Sequence, residues 1–260
     1  MKKNIIEFSV YMLFVIFFSC TDKKDDPDKY RKGWTLVWEE DFNAPLDTTV
    51  WKKISPEKHL NKYMGEKDNL YMLQDGNLIL RGTHSPSVKD HNSFQTGGVT
   101  RIGINENETG RIEIKAAINP CSGAWPFIRL LPENRNNIAI SIMEQYDLDT
   151  FIYQSVSTEY TTTKKMTDNP PSIMMVGVNP NQYHIYGLEK YPDSLVFFVD
   201  GIRTRKYPRI QTSITGQFPF NNLDLNLYLG MGINKNNDTT AVTADMFIDW
   251  VRYYKPVTSL

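Results

Sequence analysis

Glu144 closes the apolar run Ile138-Ala139-Ile140-Ser141-Ile142-Met143 and is the one ionisable side chain of that stretch. A carboxyl placed at the end of a strand can give or take a proton, provided that a partner group completes the reaction. Ala139 and Ser141, alternate residues of one strand, share a face with each other. Ala139 has no functional group: it cannot attack, hold a water as a base or stabilise a cation. Ser141 can hydrogen-bond but brings no negative charge. Other acids nearby in the chain are Glu133, Asp147, Asp149 and Glu159. Asp147 is out of phase with Glu144 on a regular strand, and the rest fall in or near loops or on a later strand. Cys121 has no paired His or Asp motif beside it and reads as a small buried residue.

The elements that must position these groups are strands. Gly110-Arg111-Ile112-Glu113-Ile114-Lys115-Ala116 alternates apolar and charged residues, as a half-buried strand does. Leu73-Gln74-Asp75-Gly76-Asn77-Leu78 and Val199-Asp200-Gly201-Ile202 each break an apolar run with Asp-Gly, which predicts two hairpins. Asp224 to Leu229 and Met246 to Tyr253 repeat the strand pattern near the end. Pro and Gly recur between the runs, and no long helical periodicity or internal repeat is evident. Many short strands at this spacing predict an all-β, two-sheet sandwich in one domain over residues 34–256.

The front of the chain predicts its compartment. Residues 1–19 read as a lipoprotein signal peptide: Lys2 and Lys3 precede the apolar run Tyr11 to Phe18, too short to span a bilayer. Phe18-Ser19-Cys20 resembles a bacterial lipobox, which makes Cys20 the lipidation site. Residues 20–33 are polar and read as a flexible tether, and Lys24-Asp25-Asp26 is similar to the acidic export tag of surface lipoproteins. The expected location is the cell envelope, lipid-anchored to the outer membrane and surface-exposed. With Cys20 lipidated, Cys121 has no partner for an intrachain disulfide. The mature chain carries a net charge of about −2, no footprint for nucleic acid.

The order of motifs carries a family resemblance. Trp38-Glu39-Glu40-Asp41-Phe42-Asn43, Gly97-Gly98-Val99-Thr100-Arg101, Gly110-Arg111-Ile112-Glu113 and Gly123-Ala124-Trp125-Pro126-Phe127-Ile128-Arg129-Leu130-Leu131-Pro132 precede the Glu144 strand. Tyr183-His184-Ile185-Tyr186-Gly187-Leu188-Glu189, Phe198-Val199-Asp200-Gly201 and Asp249-Trp250-Val251-Arg252-Tyr253-Tyr254 follow it. From Trp34 to Lys255 the chain resembles glycoside hydrolase family 16, the laminarinase-type β-glucanases. The resemblance implies a concanavalin A-like jelly roll whose concave sheet holds a polysaccharide: a β-glucan, a galactan or an acidic glycan.

In that family the matching strand reads Glu-x-Asp-x-x-Glu, and its extra residue before the last Glu is a β-bulge that re-aims the carboxyl. Carried over, the nucleophile position holds Ala139, the assisting position Ser141 and the acid/base position Glu144, with Met143 in the bulge slot. A retaining glycosidase needs two carboxyls about 5–5.5 Å apart; here one remains. Arg129 and Lys190 stand where the family usually has Trp, while Trp125 matches its stacking Trp and His184 its Phe-His position. The resemblance thus implies Trp125, Arg129, His184 and Lys190 as sugar contacts. For Trp125 a core aromatic, for Arg129 a cation neutralising Glu144, for His184 a structural residue and for Lys190 a solvated one are the plainer alternatives. Asp249 matches the carboxylate ligand of the family's structural calcium; no cofactor is required. Three readings stay open: a polysaccharide-binding protein with impaired catalysis, an active endo-β-glycosidase using Glu144 and a non-standard nucleophile, and a vestigial cleft with a structural or protein-interaction role.

Overall fold

The computed structural model describes residues 31–56, 63–85, 94–105, 109–133, 137–233 and 242–257. The signal peptide, Cys20 and most of the expected tether lie outside these residues. The chain joins the sandwich from Arg31, three residues ahead of the expected boundary. Trp34 N donates to Arg31 O at 2.9 Å, and Arg31 Nε donates to Glu113 Oε1 at 2.8 Å.

The strands in chain order are β1 (Trp34–Glu40), β2 (Trp51–Lys53), β3 (Tyr71–Gln74), β4 (Asn77–His84), β5 (Phe94–Thr96), β6 (Gly98–Asn105), β7 (Gly110–Asn119), β8 (Ala124–Pro132), β9 (Ala139–Glu144), β10 (Ile152–Ser157), β11 (Ile173–Val176), β12 (His184–Lys190), β13 (Ser194–Val199), β14 (Ile202–Pro208), β15 (Leu225–Ile233) and β16 (Val242–Pro256). The longest helix described is α1 (Glu159–Thr162). A nine-stranded sheet runs β14-β13-β12-β7-β16-β4-β3, with β1 on β16 and β5 on β4; a seven-stranded sheet runs β11-β10-β9-β8-β15-β6-β2. Every strand pairing within them is antiparallel. The all-β two-sheet expectation holds.

The alternation read from sequence builds the core. Ile112, Ile114, Ala116 and Ile118 of β7 meet Ile128 and Leu130 of β8, Leu227 and Leu229 of β15 and Ile140 of β9 in one cluster between the sheets. Burial of this kind is worth roughly 1.5–3 kcal/mol per large apolar side chain. Both predicted Asp-Gly hairpins form, between β3 and β4 and between β13 and β14. Their turn residues lie in the left-handed region, with φ 52° and 71° at Asp75 and Gly76 and 51° and 74° at Asp200 and Gly201. That geometry matches the twist of the flanking strands.

One irregularity decides where the site lies. Arg129 of β8 pairs with Ser141, yet Ile128 pairs with Met143 and Phe127 with Glu144. Opposite, Ser155 of β10 pairs with Ser141 and Tyr153 with Glu144. The bulge therefore spans Ile142 and Met143. Both point into the core, so Ser141 and Glu144 emerge on the same outer face, which a regular ladder forbids at this spacing.

Candidate functional site

The outer face of the seven-stranded sheet, the cleft face, collects Trp125, Phe127 and Arg129 from β8, Ala139, Ser141 and Glu144 from β9, and Tyr153, Ser155 and Ser157 from β10, as the register requires. Five of these, Trp125, Arg129, Ala139, Ser141 and Glu144, are positions the resemblance singled out.

Glu144 is 4 % exposed and engaged on both oxygens. Oε1 accepts from Arg129 Nε at 2.5 Å and from the Ser141 hydroxyl. Oε2 accepts from the Tyr146 hydroxyl at 2.5 Å. A sugar oxygen approaching Glu144 competes with three donors of the same chain. Arg129 is itself fixed: its guanidinium lies 4.6 Å from the centre of the Trp125 ring and 5.2 Å from that of Phe127, and it is buried enough for the ion pair to be held tightly. Tyr146 stacks on Trp125 with centroids 5.8 Å apart and planes 14° apart. Burial pushes the Tyr146 hydroxyl well above its ordinary pKa, and its hydrogen bond to the Glu144 carboxylate adds to the shift, so it stays a donor.

Ala139 is half-buried and faces Ser157 across the ladder, so no carboxylate comes from its cross-strand neighbour. Asp147, at φ 53°, accepts from the Gly123 amide at 2.5 Å and is turned to the loop before β8. Asp149 accepts from the Tyr153 hydroxyl at 3.3 Å. Glu159 opens α1, against Gly216, and Glu133 is exposed beyond β8. Among the described residues Arg129, Ser141 and Tyr146 are the groups that bond Glu144, and none can act as a nucleophilic carboxylate toward a sugar carbon.

Two expected sugar contacts fall elsewhere. His184 and Lys190 lie on β12, in the nine-stranded sheet between β7 and β13, so neither shares the cleft face. His184 Nδ1 bonds Asp200 Oδ2 at 2.6 Å and Nε2 bonds the Asn179 carbonyl at 3.1 Å; it locks the β13–β14 turn to β12. Lys190 is 4 % exposed and paired in register with Gly110 and Leu195. Its alternation phase is that of Tyr186 and Leu188, which face the core, so the expectation of a solvated side chain fails too.

Asp249 lies on β16 of that same sheet, with its carboxylate 2.8 Å from Lys115 Nζ. Among the described residues no group of three or more His, Cys, Asp or Glu could hold a metal. Calcium takes six to eight hard oxygens; a lone carboxylate already taken by an ammonium does not fit it. Cys121 is half-buried, and burial and then the nearby Asp147 charge push its thiol up, which suits an inert residue.

Tyr146 and Tyr153 belong to the site but escaped the sequence reading. Tyr153 packs edge-on against Tyr146 at 5.2 Å and against Phe151 at 5.3 Å. The signal for both is strand phase: Tyr153 stands opposite Glu144, and Tyr146 is two residues beyond it, where the Gln145 and Asp147 amides still donate to the carbonyls of Pro126 and Ala124.

Comparisons with known proteins agree with this architecture. The chain is 26% identical over 236 residues to a keratan-sulfate endo-1,4-beta-galactosidase of Sphingobacterium multivorum, a match that covers 85% of this chain and 55% of the relative. The chain thus spans about half of that enzyme's length. It is 23% identical to a beta-glucanase of Rhodothermus marinus, over 97% of this chain and 96% of the relative. The X-ray structure of the laminarinase from Rhodothermus marinus superposes with a TM-score of 0.70 at 19% identity, covering 86% of this chain and 98% of that one. The model of the glycosyl hydrolases family 16 matches residues 110–252, from the first residue of β7 through most of β16 and across the whole Glu144 strand. With the two sheets and the bulge in place, this chain belongs to glycosyl hydrolase family 16.

Proposed function

We propose that this protein holds a polysaccharide on its cleft face and hydrolyses it poorly or not at all, as a lipid-anchored component of a glycan-capture system on the cell envelope. The observation that carries the reading is Ala139 on the face it shares with Ser141 and Glu144, with the remaining carboxyl occupied by Arg129, Ser141 and Tyr146. Removing a covalent nucleophile lowers rate by on the order of 10⁴–10⁶ where it has been measured in another enzyme, and the same scale is expected here. The relatives' names point to β-linked glucans and to the galactoside chain of keratan sulfate as the glycans to try first.

The test is reducing-sugar release by the mature protein on β-glucans, galactans and acidic glycans, with Glu144→Gln beside it. No release by either protein, together with retention on at least one immobilised glycan, is the expected result. Release abolished by Glu144→Gln would overturn the reading in favour of an active endo-glycosidase with a substitute nucleophile. Neither release nor retention would leave a vestigial cleft. The anchor has its own test: metabolic labelling with an alkynyl fatty acid should mark the protein, and Cys20→Ala should abolish the label.

A further inference from the structure

The cleft face is half filled. Phe127 and Tyr228 are 0 % and 3 % exposed although their cross-strand neighbours Glu144, Arg129 and Gly230 place them on the outer face of the seven-stranded sheet. They are covered by Ile54 and Met64, with which they form an apolar cluster separate from the main core. Glycines make room for it: a Cβ on Gly230 would come 2.4 Å from the Phe127 ring, and one on Gly98 would come 2.8 Å from Ile54. At Phe127, Tyr228 and Gly230 this cover leaves no room for a sugar ring.

The other half is open. Beyond Glu144 the register carries the face onto Tyr153 and then Met175, and beyond Ser141 onto Ser155 and then Ile173. Ile173 and Met175 are 60 % and 62 % exposed at the sheet edge. Tyr153, Ser155 and Ser157 are half-exposed, and Ala139 adds space at the inner end. An aromatic ring, a pair of hydroxyls and two apolar side chains suit a sugar, which presents C–H faces and hydroxyls in alternation. These floor residues carry no charge. Beside them Arg129 is committed to Glu144, and the Asp149 carboxylate accepts from the Tyr153 hydroxyl.

We infer that the glycan lies over β9, β10 and β11, entering from the β11 edge, that Tyr153, Ile173 and Met175 are its specificity-determining contacts, and that it is an uncharged β-linked chain. The inference rests on the binding reading above and deepens it. Among the described residues, a sulfate or carboxylate on the chain would meet no uncommitted cation on this floor and would meet the Asp149 carboxylate beside Tyr153.

The experiment is affinity electrophoresis of the mature protein against keratan sulfate, the same polymer chemically desulfated, and laminarin. The expected result is retardation by an uncharged polymer, with the desulfated chain bound at least tenfold more tightly than its sulfated form. Tyr153→Ala and the pair Ile173→Ser, Met175→Ser should each weaken binding about tenfold or more, while Tyr153→Phe keeps it. Thermal melts of each variant check folding, and because these side chains are partly exposed the variants should melt with the parent. Binding untouched by both sets of substitutions would overturn the track while leaving the binding reading intact. Preference for the sulfated chain would overturn the uncharged class. A monomer–dimer equilibrium in sedimentation that Met175→Ser abolishes would assign the β11 edge to a second copy instead and overturn the inference. No retention on any polymer would sink both readings together.

Discussion

Arg129 and Glu144 form a buried ion pair on the cleft face. A carboxylate 4 % exposed needs donors, and Arg129, standing at a position the family usually gives to Trp, supplies one. Breaking a buried pair on one side leaves an uncompensated charge and costs about 3–5 kcal/mol, whereas replacing both members with neutral groups of similar size costs much less. Arg129→Met should therefore lower unfolding free energy by about 3–5 kcal/mol. Glu144→Gln should lower it by a similar amount, since it leaves the Arg129 charge unpaired and turns an amide N–H toward a donor. The double variant should recover a large part of the Arg129→Met loss, giving a coupling well above 1 kcal/mol. Urea titration of the four proteins measures this. Strict additivity would mean that the pair is not a structural unit and that Arg129 is available to a ligand after all.

At the level of elements, β14 holds the open side of the cleft together. Arg205 of β14 is 5 % exposed. Its Nη1 donates to the carbonyls of Gln154 at 2.9 Å and Ser172 at 3.0 Å, and its Nη2 donates to the Pro171 carbonyl. It thus ties β10 to the segment that leads into β11, from across the sandwich. Arg205→Met keeps the apolar stem but removes the donor from the buried Gln154 carbonyl and from the partly exposed Ser172 and Pro171 carbonyls, a buried acceptor left unmet costing on the order of 1–3 kcal/mol. The expected outcome is a loss of about 3 kcal/mol and faster amide exchange in β11 than in β8. Equal exchange in both strands would refute the tie.

How far the sequence could be read follows from the same elements. The Asp-Gly turns and the β7 alternation are local signals, and they appear where the dipeptides and the period put them. The bulge was legible only as a spacing. Lys190 shows the limit: a strand's alternation assigns its two faces but not its sheet, because sheet membership is set by partners such as Gly110, 80 positions away. Tyr146 follows the named end of β9, but the Gln145 and Asp147 amides still donate to Pro126 and Ala124, so the two-residue period that carries it onto the face of Glu144 runs past the strand end.

The whole molecule is closed over its tyrosines, and that sets its response to alkali. Tyr146, Tyr186 and Tyr207 are pushed above the ordinary tyrosine pKa chiefly by burial. Tyr254 is pushed up to about 12, by burial first and then by the Glu113 charge. Tyr191 also reaches about 12, by burial, its bond to Glu189 and the charge of that carboxylate. In the unfolded chain each titrates near 10.0. Above that pH the unfolded state loses protons that the folded state still holds, so stability falls as pH rises. The tyrosine contribution is fully present below pH 10 and is lost progressively through pH 12. The melting temperature should fall steeply above pH 10, with phenolate absorbance appearing together with the loss of β-sheet signal. Tyr254 offers the control. It is 0 % exposed and its hydroxyl has no hydrogen-bond partner among the described residues, so Tyr254→Phe removes a titrating group without breaking a bond. That variant should melt at or above the parent at pH 8 and lose less stability between pH 10 and 12. A parent protein whose tyrosines all titrate near 10 while it stays folded would show that the sandwich does not seal them from solvent.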